Sequence, residues 1–81
     1  MESEELLEHI RWAVNKTNNL PPDKVTMETS FEDLSLDSVD AINIAFTLEE
    51  RLGIEISGDD LRTVTNMQDF IAVLSKAIKE K

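Results

Sequence analysis

Asp37-Ser38-Val39-Asp40 sets one hydroxyl between two carboxylates at the start of an apolar, helix-patterned stretch that runs to Leu52. A serine in the first turn of a helix lies beside backbone N–H groups that have no intrahelical acceptor. The macrodipole there favours a nearby anion, so a phosphate ester on Ser38 would sit in a favourable field. As a catalytic nucleophile the same serine is badly placed. No Gly-x-Ser-x-Gly elbow surrounds it, and the single histidine, His9, belongs to a different helical pattern. A calcium loop starting at Asp33 and continuing through Ser35 and Asp37 also fails. It would need glycine where Ser38 stands and glutamate where Ile44 stands. With two glycines and no cysteine, the chain has neither a glycine-rich phosphate loop nor a Cys/His metal spacing. These absences argue against an enzyme.

The elements that must position Ser38 follow from periodicity. Ser3 is the predicted cap of a first helix, with Glu4 and Glu5 in its first turn. Leu6, Leu7, Ile10, Ala13 and Val14 share its core face, and Trp12 falls opposite, partly exposed or covered by the following loop. The helix should end near Lys16, before Thr17-Asn18-Asn19 and Pro21-Pro22. A long aperiodic connection, 21–36, is pinned by Val25, Met27, Phe31, Leu34 and Leu36.

The second helix is predicted over Ser38 to Leu52, capped by Asp37 and stopped by Gly53. Ala41, Ile44, Ala45, Leu48 and Leu52 make its core stripe. Val39, Ile42 and Phe46 make a second stripe, left for a partner or for internal packing. Ile54 and Ile56 follow in an extended segment, and Ser57 opens a short helix with Leu61 and Val64. Thr65-Asn66-Met67-Gln68 reads as a capping box for the last helix. Met67, Phe70, Ile71, Val73, Leu74, Ala77 and Ile78 form its stripe, with Lys76, Lys79 and Lys81 at its end. The fold class is all-α: a small four-helix bundle of three longer helices and one short, with a long loop between helices 1 and 2, in one domain over 1–81.

Net charge is −9, and it is concentrated. Between Glu28 and Asp60 ten acids face a single base, Arg51, whereas elsewhere acids and bases cancel. Such a surface repels nucleic acid and anionic membranes and attracts basic protein patches. No apolar run reaches membrane-spanning length, and the acidic start Met1-Glu2-Ser3-Glu4-Glu5 is unlike a targeting peptide. The absence of cysteine fits a reducing compartment. The expectation is a soluble cytoplasmic monomer.

Phe31-Glu32-Asp33-Leu34, Asp37-Ser38-Val39-Asp40, Leu48-Glu49-Glu50 and Gly53-Ile54-Glu55-Ile56 together resemble the acyl carrier protein family over nearly the whole chain. The resemblance implies that Ser38 carries a 4′-phosphopantetheine arm on a phosphodiester, whose thiol holds acyl groups as thioesters. It implies a partner surface including Asp37, Asp40, Glu49 and Glu50, with Val39, Ile42 and Phe46 beside the attachment point. The implied partners are a phosphopantetheinyl transferase and acyl-processing enzymes with basic docking patches. Fatty acid synthesis, polyketide or mixed peptide assembly and specialised lipid or surface-polymer acylation all use such carriers. The chain departs from the pattern at Ser35 and Val39, where members commonly have glycine and leucine, and at Asn43 and Phe46, where glutamate and methionine are common. Asp37 before the serine suits acyl carriers better than peptidyl or aminoacyl carriers. From another class, the rival is an unmodified acidic helical module that docks a partner through Val39, Ile42 and Phe46.

Charge of one sign packed this densely opposes folding by self-repulsion. Magnesium or moderate salt should therefore raise the melting temperature, and a flat response across a magnesium titration would contradict this account.

Overall fold

Apolar residues at the helical period give each long helix one buried stripe. The computed structural model, which describes residues 2–80, closes those stripes on a common core. The helices are α1 (Ser3–Asn18), α2 (Ser38–Leu52), α3 (Gly58–Leu61) and α4 (Met67–Lys79). The all-α architecture of three long helices and one short is as expected. α1 packs on α2 and α4, and α3 bridges α2 and α4. Leu6, Ile10, Val14, Ile44, Leu48, Met67, Phe70 and Leu74 fill the centre. No polar or charged side chain among the described residues is buried with them. The core is therefore held by apolar burial alone, and polar groups act at its rim.

The long link between α1 and α2 is ordered by that core. It contains two short 3₁₀ turns, Pro22–Lys24 and Glu32–Leu34. Val25, Phe31 and Leu36 are buried, and Met27 and Leu34 pack partly against the core. The Phe31 ring lies 5.8 Å from that of Phe70, tilted by 42°. Backbone bonds stitch the link to the entrance of α4: Phe31 N–H donates to Thr65 O and Met67 N–H to Thr29 O, both at 3.0 Å. From the other side Arg11 Nε donates to Val25 O at 2.7 Å.

Several local readings shift. Ser3 is the first helical residue rather than the cap, because the Glu2 carbonyl accepts the first bond, from Leu6 N–H. The Glu2 side chain makes no cap bond, so the exact first residue of this exposed end is not marked by a cap, and the buried stripe alone sets the register of α1. α1 runs two residues past Lys16 and closes on Asn19 in the left-handed conformation. Thr17 Oγ1 bonds Ala13 O at 2.9 Å and Asn18 Nδ2 reaches Asp40, which holds the last turn. Val64 is buried just beyond α3, not within it.

The cap of α4 is Asn66, whose Oδ1 accepts from Asp69 N–H at 2.8 Å, and not Thr65 paired with Gln68. Asparagine is the stronger cap, and Thr65 is already occupied by the stitch to Phe31. Asp69 turns back to the Thr65 N–H and hydroxyl. Trp12 is partly exposed, as expected, and what packs over its ring is α2 and not the loop. The Arg51 guanidinium stacks 3.9 Å from its ring centroid, and Lys16 Nζ lies 4.9 Å away. Lys79 ends α4 as expected, while Met1 and Lys81 lie outside the described residues.

Ser35, two residues before Asp37, sits at φ 57°, ψ 34°. A side chain in that left-handed region costs about 1–2 kcal/mol, which glycine escapes, less the entropy glycine gains in the unfolded chain. Ser35→Gly should therefore stabilise the protein by about 0.5–1 kcal/mol, raising the melting temperature by roughly 2–8 °C. Ser35→Ala, which keeps the Cβ, should give no such gain in thermal denaturation.

Candidate functional site

The site is built by the way α2 begins. Asp37 is its extended N-cap, and its Oδ1 accepts from Asp40 N–H at 2.9 Å. Asp40 Oδ2 in turn accepts from Asp37 N–H at 3.1 Å, so the two acids close a reciprocal box. Asn18 Nδ2, at the end of α1, donates to Asp40 Oδ1 at 3.2 Å. These bonds, the Asp37 backbone N–H first and then Asn18, hold the Asp40 carboxyl below its ordinary value of 3.8. Ser38 is then the first helical residue and is exposed.

Two open clefts meet at Ser38. One, of about 660 Å³, runs toward the link and the start of α4, with Phe31, Leu36, Ala41 and Val64 among its walls. The other, of about 510 Å³, lies between Ile42 and the segment Ser57–Asp59. Ser38, Leu61 and Arg62 line both. Leu61 was legible only as a core residue, and Arg62 carried no signal in the sequence. The α2–α3 packing brings them to Ser38 from 23 and 24 positions away.

Outward from Ser38, α2 keeps its second stripe uncovered. Val39 and Phe46 are each 61% exposed and Ile42 is 42% exposed. At 3.6 residues per turn, Ser38, Val39, Ile42, Phe46, Glu49 and Glu50 fall within a sector of about 120°. Asp37 and Asp40 lie outside that sector, joined in the capping box. Glu49 is half-buried, and its Oε2 accepts from Ile56 N–H at 2.9 Å, which also anchors the extended segment after Gly53. Glu50 is exposed and flanks a shallow recess formed with Trp12, Lys16, Thr47 and Arg51. His9 is remote from Ser38 in role: its Nδ1 accepts from Arg51 Nε at 3.0 Å, part of the α1–α2 tie. No group of three or more His, Cys, Asp or Glu residues is placed to hold a metal among the described residues. Among the described residues no helix is long and apolar enough to cross a membrane.

This geometry agrees with what the chain resembles. Residues 8–74 match the family model for the phosphopantetheine attachment site. An acyl carrier protein of Thermosynechococcus vestitus is 39% identical over 75 residues, spanning 88% of this chain and 93% of that one. Acyl carrier protein 2 of Ralstonia nicotianae is 33% identical, spanning 96% and 98%. The chain belongs to the acyl carrier protein family.

Solved structures show the same fold. The crystal structure of an acyl carrier protein from Thermotoga maritima superposes with a TM-score of 0.88 at 21% identity, covering 99% of this chain and 94% of that one. The holo acyl carrier protein of actinorhodin synthesis in Streptomyces coelicolor gives 0.69 at 21% identity, covering 99% and 93%. Members of the family are carriers rather than catalysts, and phosphopantetheine is the group they bear. The residues here fit it: an exposed hydroxyl at a helix N-terminus, clefts opening on either side, and no protein thiol to compete.

The depressed Asp40 pKa has a definite sign in stability. Its bonds favour the charged form, so their contribution is present above 3.8 and is lost as pH falls through the lower folded value. Asp40→Asn should be less stable than the parent at neutral pH. The gap in denaturant midpoint should close on acidification below 3.8 and stay constant from there to pH near 7.

Proposed function

We propose that residues 1–81 act as one carrier domain in which the Ser38 hydroxyl is the tether for 4′-phosphopantetheine. The observation that carries this reading is the position of Ser38. It is the exposed first residue of α2, at the junction of two clefts, in a chain whose family bears that group. Joined through Ser38 Oγ as a phosphodiester, the arm supplies the thiol that holds acyl intermediates as thioesters. The chain's own part is to present, orient and release that arm.

The α2 sector, together with the capping box at the helix start, is the proposed docking surface. Val39, Ile42 and Phe46 supply apolar contact, and Asp37, Asp40, Glu49 and Glu50 supply charge for basic patches on the transferase and on acyl-processing enzymes. Asp37 and Asp40 act through their field, since their oxygens are also engaged in the capping box. Asn43 and Phe46 are exposed on the same helix and are the residues by which this carrier's partner set would differ from that of a general fatty-acid carrier. The working form is a monomer that meets its partners one at a time in the cytoplasm.

Coexpression with a phosphopantetheinyl transferase tests the tether. The arm's mass should appear on the tryptic peptide 25–51, which contains Ser38. Ser38→Ala should fold and melt within about 0.5 kcal/mol of the parent, as an exposed substitution away from the core does, yet gain no mass. An unmodified parent under these conditions would refute the reading.

A further inference from the structure

Arg62 stands apart from the other bases that line the molecule's clefts. Arg51 is committed to Trp12 and His9, and Arg11 to Val25 O and Glu8. Arg62, at the C-terminal end of α3, pairs with Asp59 at 3.8 Å, with the two side chains 82% and 87% exposed. An ion pair so long and so wet is worth little and exchanges readily. Yet Arg62 shares with Ser38 and Leu61 the distinction of lining both clefts, where it is the one base among the described residues. The acids on the same walls are Glu32, Asp37 and Asp59.

A phosphodiester on Ser38 would add a further negative charge to this acidic mouth. The Asp40 N–H is already taken by Asp37, which leaves those of Ser38 and Val39 without an intrahelical acceptor. Two backbone donors are thin compensation for an anion set among carboxylates. A guanidinium matches phosphate oxygens with a planar fork of N–H donors and binds them more strongly than a solvated carboxylate contact at 3.8 Å.

We infer that Arg62 leaves Asp59 and clasps the phosphodiester on Ser38, holding the root of the arm against α3. This rests on the assignment of Ser38 as the tether. Arg62 is a positioning residue: it orients the arm's first atoms toward the α2–α3 cleft and offsets the charge the arm brings.

The test compares apo and fully loaded forms of the parent, Arg62→Gln and Arg62→Lys, with intact mass confirming the arm in each. In the loaded parent the ³¹P resonance should move as salt rises from about 0.01 M to about 1 M, as the screening length falls from about 30 Å to about 3 Å. In loaded Arg62→Gln it should start near the parent's high-salt position and stay there, with Arg62→Lys between the two. Attachment of the arm should lower the melting temperature of Arg62→Gln by about 2–4 °C more than that of the parent, the scale of one lost exposed charge pair. Identical ³¹P positions and identical loaded-minus-apo melting shifts in parent and Arg62→Gln would overturn the inference and leave the tether assignment standing. Failure of every form to take the arm would overturn both. The parent's salt titration keeps the test decisive even where a variant folds poorly.

Discussion

The reciprocal box between Asp37 and Asp40 sets the start of α2, and most of the site depends on that start. An isolated 15-residue helix is marginal in water, so its register is decided by its ends and by the face it buries. A shift of one residue would turn every side chain by about 100°. It would carry Ser38 off the cleft mouth and lift Ile44 and Leu48 out of the core. The box prevents this from one end. Gly53, left-handed at φ 64° with its N–H on Glu49 O at 2.9 Å, prevents it from the other. Between these stops the same helix presents Ser38, keeps the core stripe inward and leaves Val39, Ile42 and Phe46 in solvent.

The electrostatics follow from how the few bases are distributed. Arg51 is the one base in the acidic third, yet it is folded over Trp12 and bonded to His9, on the side of α2 facing α1. Its charge therefore ties two helices together and does little to neutralise the outward sector. Glu49 shows the opposite economy. One of its oxygens anchors Ile56 N–H while its charge still contributes to the outward field. Asp40 combines both uses, since the bonds that close the helix end also keep it ionised at a lower pH than an ordinary carboxyl. A negative rim made this way is held by the fold at fixed positions, which is what orienting a basic partner requires.

What could be read from the chain alone were features whose cause is local. The span of α2, its cap and its glycine stop follow from adjacent residues, and the core stripes follow from period. The uncovered stripe of Val39, Ile42 and Phe46 was visible as a surplus of apolar faces, and the structure resolves it toward solvent. What could not be read depended on contacts between distant segments. Thr65 and Asn66 are both acceptable caps by type, and the choice was made by the link segment bonding Thr65 and Met67. Trp12 was legible as partly exposed, but not that Arg51 of α2 would stack on it. Arg62 had no periodic role to betray it, since it ends a helix of four residues whose placement is set by packing. The left-handed turn at Ser35 was hidden for a different reason: serine is tolerated there at a cost, and only glycine would have advertised the conformation.

The uncovered stripe also bounds how tightly such a domain can dock. Burying Val39, Ile42 and Phe46 would contribute at most about 1.5–3 kcal/mol each. They begin 42–61% exposed and not fully so, which lowers that figure. Association itself costs on the order of 4–15 kcal/mol in lost freedom, so the apolar contact alone leaves little surplus. The acids then matter chiefly for encounter: they raise the on-rate and select the approach without lengthening the stay. A surface that is approached quickly and left quickly is unsuited to a permanent complex. It suits a chain that must surrender its cargo to one enzyme and reach the next, so on the proposed reading weak docking is a requirement of the function and not a deficiency of the interface.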